Sequence, residues 1–295
     1  MSQCEKISFI LVLIIATFCM GSSFPTGKFL ISTENIPPFY LGGFRFFIAG
    51  CLVLWVCVDR EGWREVLPVN QGSLKRGFLH VTWIGVLQTT AAMGFLNLAL
   101  MRIDSALASV LFFTNPLWVL IFAHCLKIER LYLQRLIGLV IGIVGVSLCL
   151  RIGAGHNYWG MLFALLGAMS WALCTVSVRS FCRIDNSALV LAGWQMCLGG
   201  FILWIISLIF SERYDFLELS GWGIFNLAWL ILPASIGSFT LWFVALQKGG
   251  AAQASSFLFL TPMFATVFAS LLLGEELTMK FIAGCALIFL SIYLV

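Results

Sequence analysis

Residues 99–138 read ALMRIDSALASVLFFTNPLWVLIFAHCLKIERLYLQRLIG, and residues 245–284 read ALQKGGAAQASSFLFLTPMFATVFASLLLGEELTMKFIAG. The two stretches align without a gap. Ala99-Leu100 falls on Ala245-Leu246, Phe113 on Phe259, Pro116 on Pro262, Glu129 on Glu275 and Gly138 on Gly284. Alanine and leucine matches are cheap in apolar sequence. A proline and a carboxylate that keep the same spacing are not. Each copy is an apolar helix interrupted by proline, then a polar turn, then a second apolar helix.

Around this repeat the chain is 295 residues long, 61% hydrophobic and 10% charged, with a mean hydropathy of +1.03. Soluble domains carry about 25% charged residues, so this chain has too few to cover a water-facing surface. The composition predicts a polytopic membrane protein with the lipid bilayer as its partner. The net charge of +4 does not point to nucleic acid, because the basic residues stand singly in short loops. The ten cysteines form no C-x-x-C pair and lie mostly in apolar runs. They read as packing residues, and no metal or cofactor is expected. Lys6 ahead of an apolar run looks like a signal peptide, but no small-x-small cleavage site follows, so the run reads as a retained first span.

Crossing a bilayer takes about 20 apolar residues. That rule predicts ten spans, near 7–30, 38–58, 77–100, 104–126 and 132–150, then 158–181, 186–210, 222–246, 251–273 and 279–295. Fainter matches extend the repeat: Lys28 to Arg179, and Gly43-Phe44-Arg45 to Gly193-Trp194-Gln195. The predicted fold is therefore all-α integral membrane, ten transmembrane helices as two five-helix repeats, 1–151 and 152–295. An odd number of spans per unit turns the second copy upside down. The charge bias agrees. With the N-terminus inside, eleven Lys and Arg, among them Arg60, Lys75, Lys127 and Arg130, fall on the cytoplasmic side. Only Lys28, Arg102, Arg151, Arg213 and Lys280 fall outside. Both termini are expected in the cytoplasm of a bacterial inner membrane.

Paired, proline-broken apolar segments in two halves point to a transporter binding site. Pro116 and Pro262 would each free the carbonyl one turn earlier, those of Phe112 and Leu258, and lipid offers nothing to satisfy it. Asn115 and Thr261 supply polar groups at that depth. Ser22, Ser23 and Pro25 in span 1, and Gln88 and Asn97 in span 3, either join helices or line a path. Trp171 and Trp242 are candidate ligand-stacking residues, with core packing as the plainer reading. Arg45 is the one cation inside a span; it holds an anion, caps carbonyls, or snorkels to the headgroups. Lys28 and Arg179, at span ends, read as snorkelling. Every Asp and Glu falls in a loop or at a span edge, so no ion-coupling carboxylate is evident. Gly138, Gly142 and Gly145 form a small-residue stripe for close helix packing, with a homodimer contact as the alternative.

The pattern resembles the drug/metabolite transporter superfamily, specifically its EamA-type members, along nearly the whole chain. The resemblance rests on Gly21-Ser22-Ser23 with Lys28, on Phe44-Arg45-Phe46, and on Ser109 and Pro116 leading to Glu129-Arg130-Leu131. In the second half it rests on Gln195, Pro262 and Gly274-Glu275-Glu276-Leu277. Met20, where that family commonly has tryptophan, and Lys127-Ile128, where a glycine is usual, depart from it. The resemblance implies cytoplasmic termini, a central cavity, and movement of amino acids, their relatives or other small metabolites, drugs included.

The expected function is carrier transport, chiefly export, by alternating access at a midplane site. In that reading Asn115 and Thr261 meet the small-molecule substrate, Pro25, Pro116 and Pro262 are hinges, and Arg45 biases the outer vestibule toward anions. The alternatives are a channel and a membrane-embedded enzyme. The latter lacks GxSG, H-E-x-x-H and an intramembrane carboxylate pair.

Overall fold

A computed structural model describes residues 3–128, 132–148, 157–180, 186–249, 254, 257–273 and 279–294. The turns carrying Glu129-Arg130-Leu131 and residues 274–277 lie outside the described residues, as does the side chain of Arg179.

Among the described residues the chain is helical and contains no strand. The helices are α1 (Gln3–Ser32), α2 (Pro38–Glu61), the short α3 (Trp63–Val66), α4 (Leu74–Gly85), α5 (Ala92–Leu100), α6 (Ser105–Phe112), α7 (Asn115–Cys125) and α8 (Leu133–Leu148). Then come α9 (Tyr158–Ser180), α10 (Ala188–Ile209), α11 (Gly221–Ile231), α12 (Ser238–Gly249), α13 (Leu260–Leu273) and α14 (Met279–Leu294). Seven helical runs are long and apolar enough to cross a membrane: Ser8–Ser32, Pro38–Glu61, Leu74–Leu100, Ser105–Cys125, Tyr158–Val178, Ala188–Ile209 and Gly221–Ala245. Leu136–Gly145 and Leu260–Leu272 are apolar but shorter.

Polar residues set where the helices start. Ser73, Ser187 and Ser220 each accept a hydrogen bond from the backbone N–H three residues on, satisfying a donor that the first helical turn leaves free. Helix α2 starts on Pro38, where the missing N–H costs nothing. Its free amides find a partner across the bundle: Tyr40 N–H donates to the Glu212 carboxylate at 2.8 Å.

Small residues set how closely helices approach. Helices α2 and α10 run antiparallel with backbone against backbone. A Cβ added to Gly43 would lie 2.6 Å from Trp204 N, and one on Gly50 2.6 Å from Cys197 Cα. From the other side, a Cβ on Gly193 would meet Leu54 at 2.9 Å, and one on Gly200 the Phe46 carbonyl carbon at 2.8 Å. Beside this seam Cys51 Sγ and Cys197 Sγ stand 3.8 Å apart. The Gly138, Gly142 and Gly145 stripe is buried in the chain's own interior, where Gly142 packs on Ser291 and Phe259. Gly21 brings α1 onto the Thr261 carbonyl and Phe264 of α13.

The ends of α2 and α10 are tied in matching ways. Trp194 of α10 donates its indole N–H to Val66 O at 2.7 Å, and Asn186 donates to Glu65 O and Leu67 O. At the other end Phe44 of α2 packs on Phe216 at 4.5 Å between ring centroids. Glu34 accepts from Ser220 there.

Candidate functional site

Both proline segments are broken helices, but the break falls before the proline. Helix α6 stops at Phe112, Phe113 and Thr114 form a turn, and α7 restarts at Asn115 with Pro116 in its first turn. In the second half Leu258 and Phe259 form the turn, and α13 starts at Leu260 with Pro262 in its first turn. The expectation of a mid-helix proline is corrected accordingly. First-turn amides have no intrahelical acceptor, so proline fits there without removing a bond. Pro25, by contrast, lies inside α1, which continues through it unbroken.

Two further irregularities face these breaks. Residues Val86–Ala91 join α4 to α5 as a π-helical turn, and Leu232–Gly237 join α11 to α12 in the same way. π-turns inside α-helices occur frequently at functional sites. Nothing in a single sequence marks Val86–Ala91 beyond its run of Gln88, Thr89 and Thr90; Pro233 is the one local signal in the second turn.

Helix α9 runs between these irregular segments and collects their side chains. Its Ala168 carbonyl accepts from Asn115 Nδ2 at 3.2 Å. Ser170 Oγ donates to Leu87 O at 2.9 Å, and Cys174 Sγ donates to Gln88 Oε1 at 3.2 Å. Trp171 is the hub of a buried aromatic cluster. It meets Phe112 at 5.3 Å, Phe113 at 5.8 Å and Trp242 at 6.0 Å, and stacks on Phe239 at 6.3 Å. Phe24 of α1 packs on Phe112 and Phe113, and Phe46 of α2 on Phe239. Offset and edge-on rings at these separations are the favoured aromatic geometries. Only the two tryptophans were legible in the sequence as candidates; the five phenylalanines were missed, lost among 27 in the chain.

Polar atoms in this interior are left over. Asn115 Oδ1, Gln88 Nε2, Thr261 Oγ1, and the indole N–H groups of Trp171 and Trp242 are buried with no hydrogen-bond partner among the described residues. Buried polar groups are normally paired, and each exception calls for an explanation such as a water or a ligand.

The remaining candidates go elsewhere. Asn97 Nδ2 donates to Pro38 O at 2.8 Å, tying α5 to the start of α2. Ser22 Oγ accepts from the Trp229 indole at 2.9 Å and donates to Cys19 O. Half-buried Ser23 bonds back to Met20 O. Lys28 does not simply snorkel. Its ammonium donates to Leu100 O at 2.7 Å and Ile103 O at 3.1 Å, where the ending α5 leaves carbonyls free and its dipole favours a cation. Arg45 neither snorkels nor caps carbonyls. It is 3% exposed, its guanidinium carbon lies 4.2 Å from the Phe46 ring centroid, and Nη2 contacts Met93 Sδ at 3.7 Å.

The EamA-like transporter family matches residues 7–151 and again 158–295. A WAT1-related chloroplastic protein of Arabidopsis thaliana is 30% identical over 295 residues, covering 96% of this chain and 68% of that protein. The uncharacterized transporter YvbV of Bacillus subtilis is 27% identical, covering 100% of this chain and 93% of its own. The uncharacterized inner membrane transporter YedA of Escherichia coli is 29% identical over 252 residues, 84% of this chain and 78% of that one. A crystal structure of a protein superposes with a TM-score of 0.71 at 21% identity over 95% of both chains, a likeness of fold alone.

Proposed function

This chain belongs to the EamA-like transporter family, and from that premise we propose that it carries small metabolites across a bacterial inner membrane by alternating access, with export as its direction. It is a multi-pass membrane protein, and its relatives are named as transporters.

The proposed architecture is ten spans in two inverted repeats, 1–151 and 152–295, with both termini cytoplasmic. Its support is a shift of 150 residues, the one that puts Gly43 on Gly193. That shift turns the Gly43–Trp204 contact into Gly193–Leu54, carrying 54 to 204. It turns Phe44–Phe216 into Trp194–Val66, carrying 66 to 216. Contacts exchanged in this way, between antiparallel helices, are what a pseudo-two-fold axis lying in the membrane would produce. The two π-turns match under the shift of 146 that relates the quoted stretches, 86 to 232.

The observation that carries the transport reading is the pair of helix breaks at matched places, each beside a buried, incompletely paired polar side chain, Asn115 and Thr261. Irregular backbone at membrane depth is tolerated where it is buried in protein or lines a cavity. The proposed substrate site lies between these breaks, the two π-turns, and Trp171 with Trp242. Pro116 and Pro262 would serve as hinges at the two restarts.

The test is uptake of a radiolabelled metabolite panel into proteoliposomes, with and without a proton gradient. Saturable flux, stimulated by substrate on the far side, is expected, and Asn115→Ala should lower it at least tenfold. Flux that does not saturate would indicate a channel instead. The inverted repeat is tested by labelling single cysteines placed at 129 and 275, which should react from opposite faces.

A further inference from the structure

Building on the transporter reading above, we propose that Arg45 is the recognition group for a monoanionic carboxylate whose apolar body lies against Phe46. Arg45 is the only charged side chain among the buried described residues. Its contacts are a ring face and a thioether, Phe46 and Met93. Among the described residues no carboxylate pairs with it, and Nε is buried with no partner. An arginine cannot shed its proton to escape burial as a lysine can. Burying its charge without a counter-ion is costly, and the ring below it returns only part of that cost.

The scaffold does not call for a cation at this position. Gln195 occupies the corresponding place in the second half, equally buried, with Oε1 accepting from Thr89 Oγ1 at 2.6 Å. One half therefore carries a neutral amide where the other carries a full charge. A charge retained against its own desolvation, with donors left over, fits an anion that comes and goes. Guanidinium presents two parallel N–H groups that match the two oxygens of a carboxylate. A single buried charge balances a monoanion; a phosphate monoester would leave a negative charge over. An organic cation would meet a like charge in a low dielectric.

The chemistry beyond the guanidinium fits an apolar or aromatic body. Phe46, under the charge, packs edge-on against Phe239 at 5.4 Å, and Phe239 stacks on Trp171. A flat apolar group can lie along this surface while its carboxylate reaches Arg45.

The test uses the full-length protein in lipid nanodiscs and four probes of one shape: 3-phenylpropionate, its neutral amide, 3-phenylpropylamine and 2-phenylethyl phosphate. Binding is measured by calorimetry without any gradient, so it does not depend on transport. The propionate should bind at least tenfold tighter than each of the others. R45M should lose at least tenfold of that affinity, and R45K should keep part of it. Without ligand, R45M should melt no lower than the wild type, because an uncompensated charge has been removed. Equal binding of the amide or the amine, no binding by any probe, or undiminished propionate binding by R45M each overturns the proposal. A carboxylate preference without flux would overturn the transport reading and leave this one standing. Flux of other substrates undiminished in R45M would do the reverse.

Discussion

Replacing Gly50 by alanine places one methyl group in the α2–α10 seam, and the structure says what it meets. The added carbon would lie 2.6 Å from Cys197 Cα, so the helices must part by about 0.8 Å to reach the 3.4 Å of ordinary contact. The obstacle is backbone, which has no rotamer to move aside. Overpacking of this kind costs about 1–3 kcal/mol, and a backbone contact belongs at the upper end. Alanine recovers about 1 kcal/mol of helix propensity. The expected net loss is therefore about 2 kcal/mol. Gly200→Ala, blocked by the Phe46 carbonyl carbon at 2.8 Å, should lose a similar amount. Gly221→Ala, at the start of α11 with nothing within 4 Å, should be neutral or slightly stabilising. The assay is equilibrium unfolding in detergent followed by tryptophan fluorescence, to which Trp204 on the seam contributes a local signal. If Gly50→Ala proves as stable as Gly221→Ala, the close antiparallel approach is wrong, and the pseudo-symmetry argument loses its main support.

Other consequences are open to direct measurement. Copper phenanthroline should join Cys51 to Cys197 within one chain, given Sγ atoms 3.8 Å apart. Peptide mapping should show that linkage in the wild type and lose it in Cys51→Ser. Lys28→Met leaves the carbonyls of Leu100 and Ile103 without their charged donor and should cost about 2 kcal/mol, read as a lower unfolding midpoint. Burial pushes the Glu212 carboxyl above the usual carboxylate range, and the amides of Tyr40 and Phe39 pull only part of the way back. A raised carboxyl holds its proton better folded than unfolded. Its contribution is thus full below the ordinary glutamate value and lost as pH rises through the folded value. Melting temperature against pH should show that loss in the wild type and a flatter profile in Glu212→Gln.

How much of this was legible in the sequence differs from residue to residue. Pro116 and Pro262 could be paired because proline is rare enough for spacing to carry information, although their place in the first turn of a restarting helix needed the backbone. Gly43 and Gly193 could be matched as sequence, yet nothing said that they face each other's helices. The direction in which Arg45 points was not legible. Helices in lipid are apolar all round, so the periodicity that orients a soluble helix is nearly absent. The same loss hid the five phenylalanines gathered around Trp171. Glu34 and Glu212 were correctly placed in polar turns, but each finds its partner more than 170 positions away, Ser220 for one and the Tyr40 amide for the other.

The turn at Val86–Ala91 winds in more backbone than an α-helix would use over the same rise. That surplus is slack. Drawn out by one position, it swivels the Ala92–Leu100 segment about its own axis by roughly 100°, the angle per residue of an α-helix, with no helical rod snapped. Met93 sits two residues past the turn, over Arg45. Such a swivel would lift the sulfur away like a shutter and bare the guanidinium beneath it.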